Sequence, residues 1–379
     1  MTKIFTDPKA LIREEVANLP IPGFGVKYDE FQRNNPDLEI IRLGSNENLF
    51  GPSPKALKAI EASIREINFY PDNTCTEISE KMGKILGINP AQLIFDCGAE
   101  SIMLTLMNVC LRPGDKVVSF VPSFPPVYAW TAAVGADVIG IEHNDDLSFS
   151  AEKFADASGG DVRMVYLCMP NNPTGSYFTG PELTAIVDAC ASDTLFVIDE
   201  AYVEFSRDKK DYPDAIEILE AAGQPYISLR TMSKAYGLAG MRIGYGICYH
   251  EEFAGLIKRA NTVFNVGVLT LKAAVAALDD TEHVDKCLSA VSSEKSRIEK
   301  EMLKLGIRFF NSAGNFHCIW LPEFNQALDI QHKMQDVGIF IKGQKGRPTE
   351  GDNFEGVLRI TVGTPDYNDK MLERIKDLV

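Results

Sequence analysis

The 379-residue sequence contains no apolar run long enough to cross a membrane, and a membrane partner is not expected. Positive charge is in deficit. The 38 Lys and Arg stand against 53 Asp and Glu, a net charge of −15, which argues against nucleic acid or an anionic lipid surface as a partner. Any anionic ligand must therefore be held by local cations working against the overall field. CxxC spacing is absent. The eight cysteines (75, 97, 110, 168, 190, 248, 287 and 318) fall mostly in apolar runs, so reduced, buried thiols are expected rather than disulfides or a metal site. A phosphate loop of GxxxxGK[ST] form is also missing, which removes the magnesium-binding, nucleotide-hydrolysing reading of an Asp-Glu strand end. The first residues, Met1-Thr2-Lys3-Ile4-Phe5-Thr6-Asp7-Pro8, lack an apolar signal core, so a cytoplasmic protein is expected. No internal repeat or low-complexity tract stands out.

What is present reads as an ordinary globular chain, 45% apolar and 24% charged, long enough for two domains. Short apolar segments alternate with helical patterns between about residues 50 and 250. Strands are expected at Leu93–Asp96, Lys116–Phe120, Asp137–Ile141, Val162–Met169, Leu195–Asp199, Tyr226–Leu229 and Ile243–Cys248. Ser53-Pro54 has the form of an N-cap with proline at the first helical position. The spacing Leu57, Ile60, Ile64, Ile67 after it predicts one buried face. Thr179-x-x-Glu182 has capping-box form. Near-continuous apolar strands between helices predict an α/β fold, a mostly parallel central sheet covered on both faces. Longer helices at roughly 266–279 and 281–305, then strands at Phe316–Leu321 and Gly356–Thr361, predict a smaller α+β domain. The expected division is an arm with part of the small domain over 1–45, a large cofactor-binding domain over 46–258 and the small C-terminal domain over 259–379. The Gly- and Pro-containing polar stretch 343–355 predicts a mobile loop.

Ligands of such sheets bind outside the carboxyl ends of the strands, and the chemistry-bearing residues fall there. Lys234 stands in Thr231-Met232-Ser233-Lys234, with Arg242 eight residues on and Asp199 ending an earlier strand. This set suits pyridoxal 5'-phosphate. An amine condenses with its aldehyde, hydroxyls and a guanidinium hold its phosphate, and a carboxylate keeps its ring nitrogen protonated. Gly98-Ala99-Glu100-Ser101 opens a helix directly after Asp96, which is either an ordinary turn or an anion site. With Thr231, Ser233 and Arg242 opposite, a phosphate between the two segments fits. Asn172, in Asn171-Asn172-Pro173-Thr174-Gly175, and Tyr202 can each donate to the cofactor's phenolate oxygen, although Asn-Pro and Gly also make plain turns. Phe124 either stacks on the ring or simply packs. Arg359, a charge inside an apolar strand, is either a salt-bridge partner or a clamp for a substrate carboxylate or phosphate.

From about Arg42 to Thr364 these motifs resemble the fold-type-I pyridoxal-phosphate aminotransferases, and among them the histidinol-phosphate aminotransferases. The resemblance is carried by Gly44-Ser45-Asn46-Glu47-Asn48 with Gly51-Pro52-Ser53-Pro54, Tyr70-Pro71, Gly98-Ala99-Glu100, Asn172-Pro173-Thr174-Gly175, Asp199-Glu200-Ala201-Tyr202, Ser233-Lys234-Ala235 and Leu358-Arg359-Ile360. It implies that Lys234 is the Schiff-base lysine and proton-transfer base. Asp199 would pair with the ring nitrogen, and Asn172 and Tyr202 would bind the phenolate. Ala99, Glu100, Thr231, Ser233 and Arg242 would cradle the phosphate, and Arg359 would clamp the substrate's acidic group. It further implies a homodimer in which Tyr70 reaches the neighbouring subunit's cofactor phosphate. The activity implied is transfer of an amino group to a 2-oxo acid such as 2-oxoglutarate. The sequence departs from the family at the substrate end. Leu19-Pro20-Ile21-Pro22-Gly23 replaces a Pro-Tyr segment, Phe124 stands where tyrosine is frequent, and Lys342 stands where a second arginine is common. Lys342 cannot make a bidentate contact. An aromatic or other α-amino acid is therefore a rival donor, and a decarboxylase acting on an amino-acid phosphate is a further alternative. DNA-binding regulators that share this fold carry a recognition segment ahead of it. The roughly 40 residues before Arg42 show no helix-turn-helix or basic patch, so no such role is expected.

Overall fold

The computed structural model describes residues 8–19, 28–351 and 353–378. Its strands are β1 (Ile41–Arg42), β2 (Leu93–Asp96), β3 (Lys116–Val121), β4 (Asp137–Glu142), β5 (Met164–Cys168), β6 (Leu195–Asp199), β7 (Tyr226–Thr231), β8 (Gly244–Cys248), β9 (Phe316–Leu321), β10 (Ile339–Phe340), β11 (Lys342–Pro348) and β12 (Phe354–Thr361). Seven of them form one sheet in the order β2-β8-β7-β6-β5-β3-β4. All its pairings are parallel except those of β8, which runs antiparallel to both β7 and β2. This is the mostly parallel α/β sheet expected.

The strands are apolar throughout because both faces are covered. In β6, Leu195 and Val197 pack into one core with Met103, Leu106 and Met107 of the helix Ala99–Cys110. Phe196 and Ile198 point the other way, into a core with Phe154, Leu183, Ile186 and Leu219. Fully burying each such side chain contributes roughly 1.5–3 kcal/mol. The parallel direction brings the carboxyl ends of β5, β6 and β7 to one edge, where Cys168 lies beside Asp199. Antiparallel β8 delivers its first residue, Gly244, to the same edge, paired with both Asp96 and Thr231. A Cβ at Gly244 would sit about 2.2 Å from the Ala99 amide nitrogen, so no other residue fits.

A second sheet, β11-β12-β9, is antiparallel. It buries Ile319, Leu321, Leu358 and Ile360 with Ile298 of the long helix Thr281–Lys304 and Met371 of Pro365–Ile375. A polar cluster joins the two sheets. Glu355 on β12 meets His143, just past β4, at 3.0 Å and Arg347 at 2.8 Å. Arg347 also reaches Asp145 at 3.0 Å. Among the described residues no helix is long and apolar enough to cross a membrane.

Three expectations are corrected. The stretch 343–355 is largely paired: β11 runs through Pro348 against β12, which begins at Phe354. Alternating Gly343, Gln344 and Lys345 hid that strand, because its partner supplies the hydrogen bonds. The predicted buried face after Ser53 is exposed at Leu57 (46%), Ile64 (55%) and Ile67 (67%). The helix stops at Ser63, and only Ile60 of the set packs into the core. Among the cysteines, all free, Cys97 is exposed, and Cys110 and Cys190 are only half-buried. The Ser53 cap and the Thr179–Glu182 capping box form as predicted.

Candidate active site

At the carboxyl edge of the large sheet lies a cavity of about 610 Å³. Lys234 enters it from the loop after β7, and its Nζ donates to the Ser45 carbonyl at 2.8 Å. Burial, and then the nearby Arg359 guanidinium, push its ammonium down to about 8. Roughly a tenth of the amine is then unprotonated at pH 7, far more than for an ordinary lysine, and the free amine is the form a nucleophile or base requires. Asp199, at the end of β6, is 5% exposed. Its Oδ2 accepts from the Tyr166 hydroxyl at 2.6 Å and its Oδ1 from the Ala201 amide at 3.1 Å. Burial still raises the carboxyl above its ordinary range against those two bonds. A cation placed in the cavity against Asp199 would relieve that penalty.

An anion corner lies at the start of the helix Ala99–Cys110. Ala99 and Glu100 line the cavity there with free first-turn amides. Arg242 faces them, its Nη2 donating to the Cys97 carbonyl at 3.4 Å and its Nη1 to the Ala239 carbonyl at 3.1 Å. Gly98 has φ +95°, and a Cβ there would meet the Arg242 Nη2 at 2.8 Å, so the corner requires glycine twice over. Thr231 and Ser233 complete it, their hydroxyls 3.0 Å apart.

At the middle of the cavity, the Tyr202 hydroxyl accepts from Asn46 Nδ2 at 2.9 Å, which leaves its own hydrogen to donate. Burial pushes this phenol up to about 12, so it stays protonated. Asn172 Oδ1 accepts from Arg359 Nη1 at 2.5 Å, and this fixes the amide with its nitrogen free to donate. Arg359 Nη2 donates to the Gly44 carbonyl at 2.5 Å. Phe124 lines the wall just before the helix Pro125–Ala133.

The cavity thus brings together Lys234, Asp199, Tyr202, Ala99, Glu100, Phe124, Asn172, Thr231, Ser233, Arg242 and Arg359, the expected set with two exceptions. Lys342 is exposed and outside the lining, although it pairs with Arg359 across β11 and β12. Tyr70 is 80% exposed and stacks on Phe264 with ring centroids 4.6 Å apart, away from this cavity. Of the segment Leu19–Gly23, residues 20–23 lie outside the described residues. Sequence reasoning missed Ser45 and Glu47 in the wall, and the Tyr166 bond to Asp199. Tyr166 had a readable signal, a hydroxyl in an otherwise apolar strand beside the Asp199 strand.

A near-neutral lysine, a buried carboxylate and a glycine-lined anion corner at one sheet edge fit pyridoxal phosphate, and with this fold they define the fold-type-I class of enzymes using it. The model of the family "Aminotransferase class I and II" matches residues 39–375. The chain is 32% identical to histidinol-phosphate aminotransferase 1 of Mesorhizobium japonicum, over 97% of this chain and 98% of that protein. It is 35% identical to histidinol-phosphate aminotransferase 2 of Carboxydothermus hydrogenoformans, with the same two coverages. The crystal structure of histidinol-phosphate aminotransferase from Sinorhizobium meliloti, solved with pyridoxal-5'-phosphate, superposes with a TM-score of 0.84 at 26% identity, covering 96% of each chain. The chain belongs to the class I and II aminotransferase family, in its histidinol-phosphate aminotransferase branch, and is a pyridoxal-phosphate-dependent aminotransferase.

Proposed function

We propose that this aminotransferase takes histidinol phosphate as amino donor and a 2-oxo acid such as 2-oxoglutarate as acceptor, with Lys234 as its catalytic base. The carrying observation is the juxtaposition of Lys234, its ammonium lowered to about 8, with buried Asp199 and two guanidiniums in one cavity. When bound there, pyridoxal phosphate supplies an electron sink for the carbanion formed at the substrate's α-carbon. Lys234 would remove the α-proton and hold it at its Nζ for return. Asp199 would hold the cofactor's ring nitrogen protonated, and Asn172 and Tyr202 would donate to its phenolate oxygen. Phe124 covers one ring face. Ala99, Glu100, Thr231, Ser233 and Arg242 anchor the phosphate.

Arg359 receives the substrate's acidic group, because among the described residues its hydrogen-bond partners are neutral oxygens. Since Lys342 stands outside the wall, that end offers one guanidinium rather than two. This favours, as second reading, an α-amino acid with a single carboxylate, aromatic donors included. We assign the working unit to a cytoplasmic homodimer. The exposed Leu57, Ile64, Ile67 and the Tyr70–Phe264 stack form apolar surface that a second subunit would cover, with Tyr70 serving the neighbour's phosphate. The division into 46–258 and 259–379 around the two sheets belongs to the same proposal.

The test is a visible-absorbance titration of the cofactor-loaded protein with histidinol phosphate, phenylalanine, glutamate and phosphothreonine. Histidinol phosphate is expected to bleach the bound-cofactor band at the lowest concentration. Lys234→Ala should keep cofactor yet lose turnover by about 10³-fold or more. Near-normal turnover in that variant would end the proposal.

A further inference from the structure

The cavity wall holds three carboxylates, and two are accounted for. Asp199 is buried at the sheet edge, and Glu100 lies in the first turn of its helix, where a negative charge complements the dipole. Glu47 has no such task. It leaves the same turn whose Ser45 carbonyl holds Lys234. Arg42 Nη2 fixes its Oε1 at 2.5 Å, and Arg42 is itself braced over the Tyr28 ring at 4.2 Å. Among the described residues its Oε2, buried within a side chain that is 25% exposed, has no hydrogen-bond partner. An acceptor left in that condition is expensive unless a ligand's donor completes it. The cations that line the cavity with it are Lys234, Arg242 and Arg359. The anionic groups of cofactor and substrate match those three, so Glu47 calls for the opposite kind of group, an N–H donor or a partial positive charge.

Resting on the donor assignment above, we infer that Glu47 is the specificity-determining residue that accepts a hydrogen bond from the substrate's ring N–H and so favours an imidazole-bearing amine over a phenyl one. A phenyl ring has no donor for Oε2 and would leave it unsatisfied. An imidazole N–H satisfies it, and an imidazolium does so with charge. Discrimination built on a donor–acceptor pair is strong because the wrong substrate leaves the protein's polar group unpaired.

The experiment measures the ratio of kcat/KM for histidinol phosphate to that for phenylalanine in the wild type, Glu47→Leu and Glu47→Gln, all loaded with cofactor. Histidine against phenylalanine serves as a phosphate-free pair, and binding is followed in parallel through the bound cofactor's absorbance. The imidazole-to-phenyl ratio is expected to fall about 10- to 100-fold in Glu47→Leu, the worth of a hydrogen bond to a charged group. Glu47→Gln, which keeps an acceptor, should recover part of it. Equal losses for both substrates would mark Glu47 as structural and overturn the inference, as would an unchanged ratio. If the wild type ignores histidinol phosphate but prefers histidine to phenylalanine, and Glu47→Leu abolishes that preference, the donor assignment fails while Glu47's role stands. If histidinol phosphate is turned over equally well by wild type and Glu47→Leu, the donor assignment stands and the Glu47 inference falls.

Discussion

Arg230 and Arg359 are arginines on β-strands, the first half-buried and the second buried, and their surroundings are opposite. Arg230, on β7, has a carboxylate of its own: Glu200 lies 2.9 Å from its Nη2, and Ser228 donates to that same oxygen at 2.5 Å. Burial alone would lower the Arg230 guanidinium, but Glu200 carries it above its ordinary value. Among the described residues Arg359, on β12, hydrogen-bonds to the Asn172 amide oxygen and the Gly44 carbonyl, and its Nε finds no partner. Burial pushes it down, and neither Tyr202 nor Cys318 offsets that. A buried cation with its anion built in is a structural element. One with only neutral acceptors is unfinished, and the cavity beside Arg359 is where a ligand's anion would complete it.

Substitution should separate the two sharply. Arg359→Leu is expected to lower kcat/KM for an anionic donor by about 10³-fold, from the roughly 2–5 kcal/mol carried by a buried charge pair, without lowering the melting temperature. An unchanged kcat/KM would show that Arg359 holds no substrate group. Arg230→Met strands Glu200 in the core and should lower unfolding stability by about 3 kcal/mol, read from the denaturant midpoint. If the midpoint stays put, the built-in pair is dispensable and the contrast collapses.

The titration of Lys234 sharpens the comparison further. Only the unprotonated amine is nucleophilic. With Lys234 lowered to about 8 from 10.5, uptake of pyridoxal phosphate by cofactor-free protein should quicken as pH rises to about 8 and then level off. An ordinary lysine would keep accelerating through pH 10. Arg359 is one cause of the lowering, so Arg359→Leu should move the inflection upward, whereas Arg230→Met should leave it in place. The smallest effect belongs to Lys342→Ala. Exposed and outside the wall, it should raise KM for an anionic donor only about threefold, and 0.5 M salt should erase the difference.

The same contrast marks what could be read from the sequence. One end of the cavity was legible because its residues lie at or close to the ends of apolar strands or open the next helix. Asp199, Lys234, Gly98 and Arg242 are local punctuation in a parallel α/β pattern, and the topology then assembles them. The substrate end depends on pairings between distant segments. Asn46 reaches both Tyr202 and Thr361, 315 residues on, and Glu47 enters the wall only because β1 carries its turn there. Nothing in the composition of 343–355 announced a strand, since β11 is Gly- and Lys-rich and borrows its order from β12. The helix after Ser53 misled for another reason. Its apolar spacing is real, but Leu57, Ile64 and Ile67 face away from this chain's core, and periodicity cannot say whose core an apolar face is meant for.

Gly244 has a consequence for how this scaffold can diversify. With the Ala99 amide about 2.2 Å from where its side chain would begin, position 244 tolerates no alternative, and Gly98 under Arg242 is nearly as restricted. One end of the cavity is therefore frozen against drift and acts as a fixed origin from which reach is measured. Change is channelled to the other walls, such as Ser45, Glu47 and Phe124, where a side chain faces the cavity. A library aimed at new donors should leave the origin alone and randomise those walls.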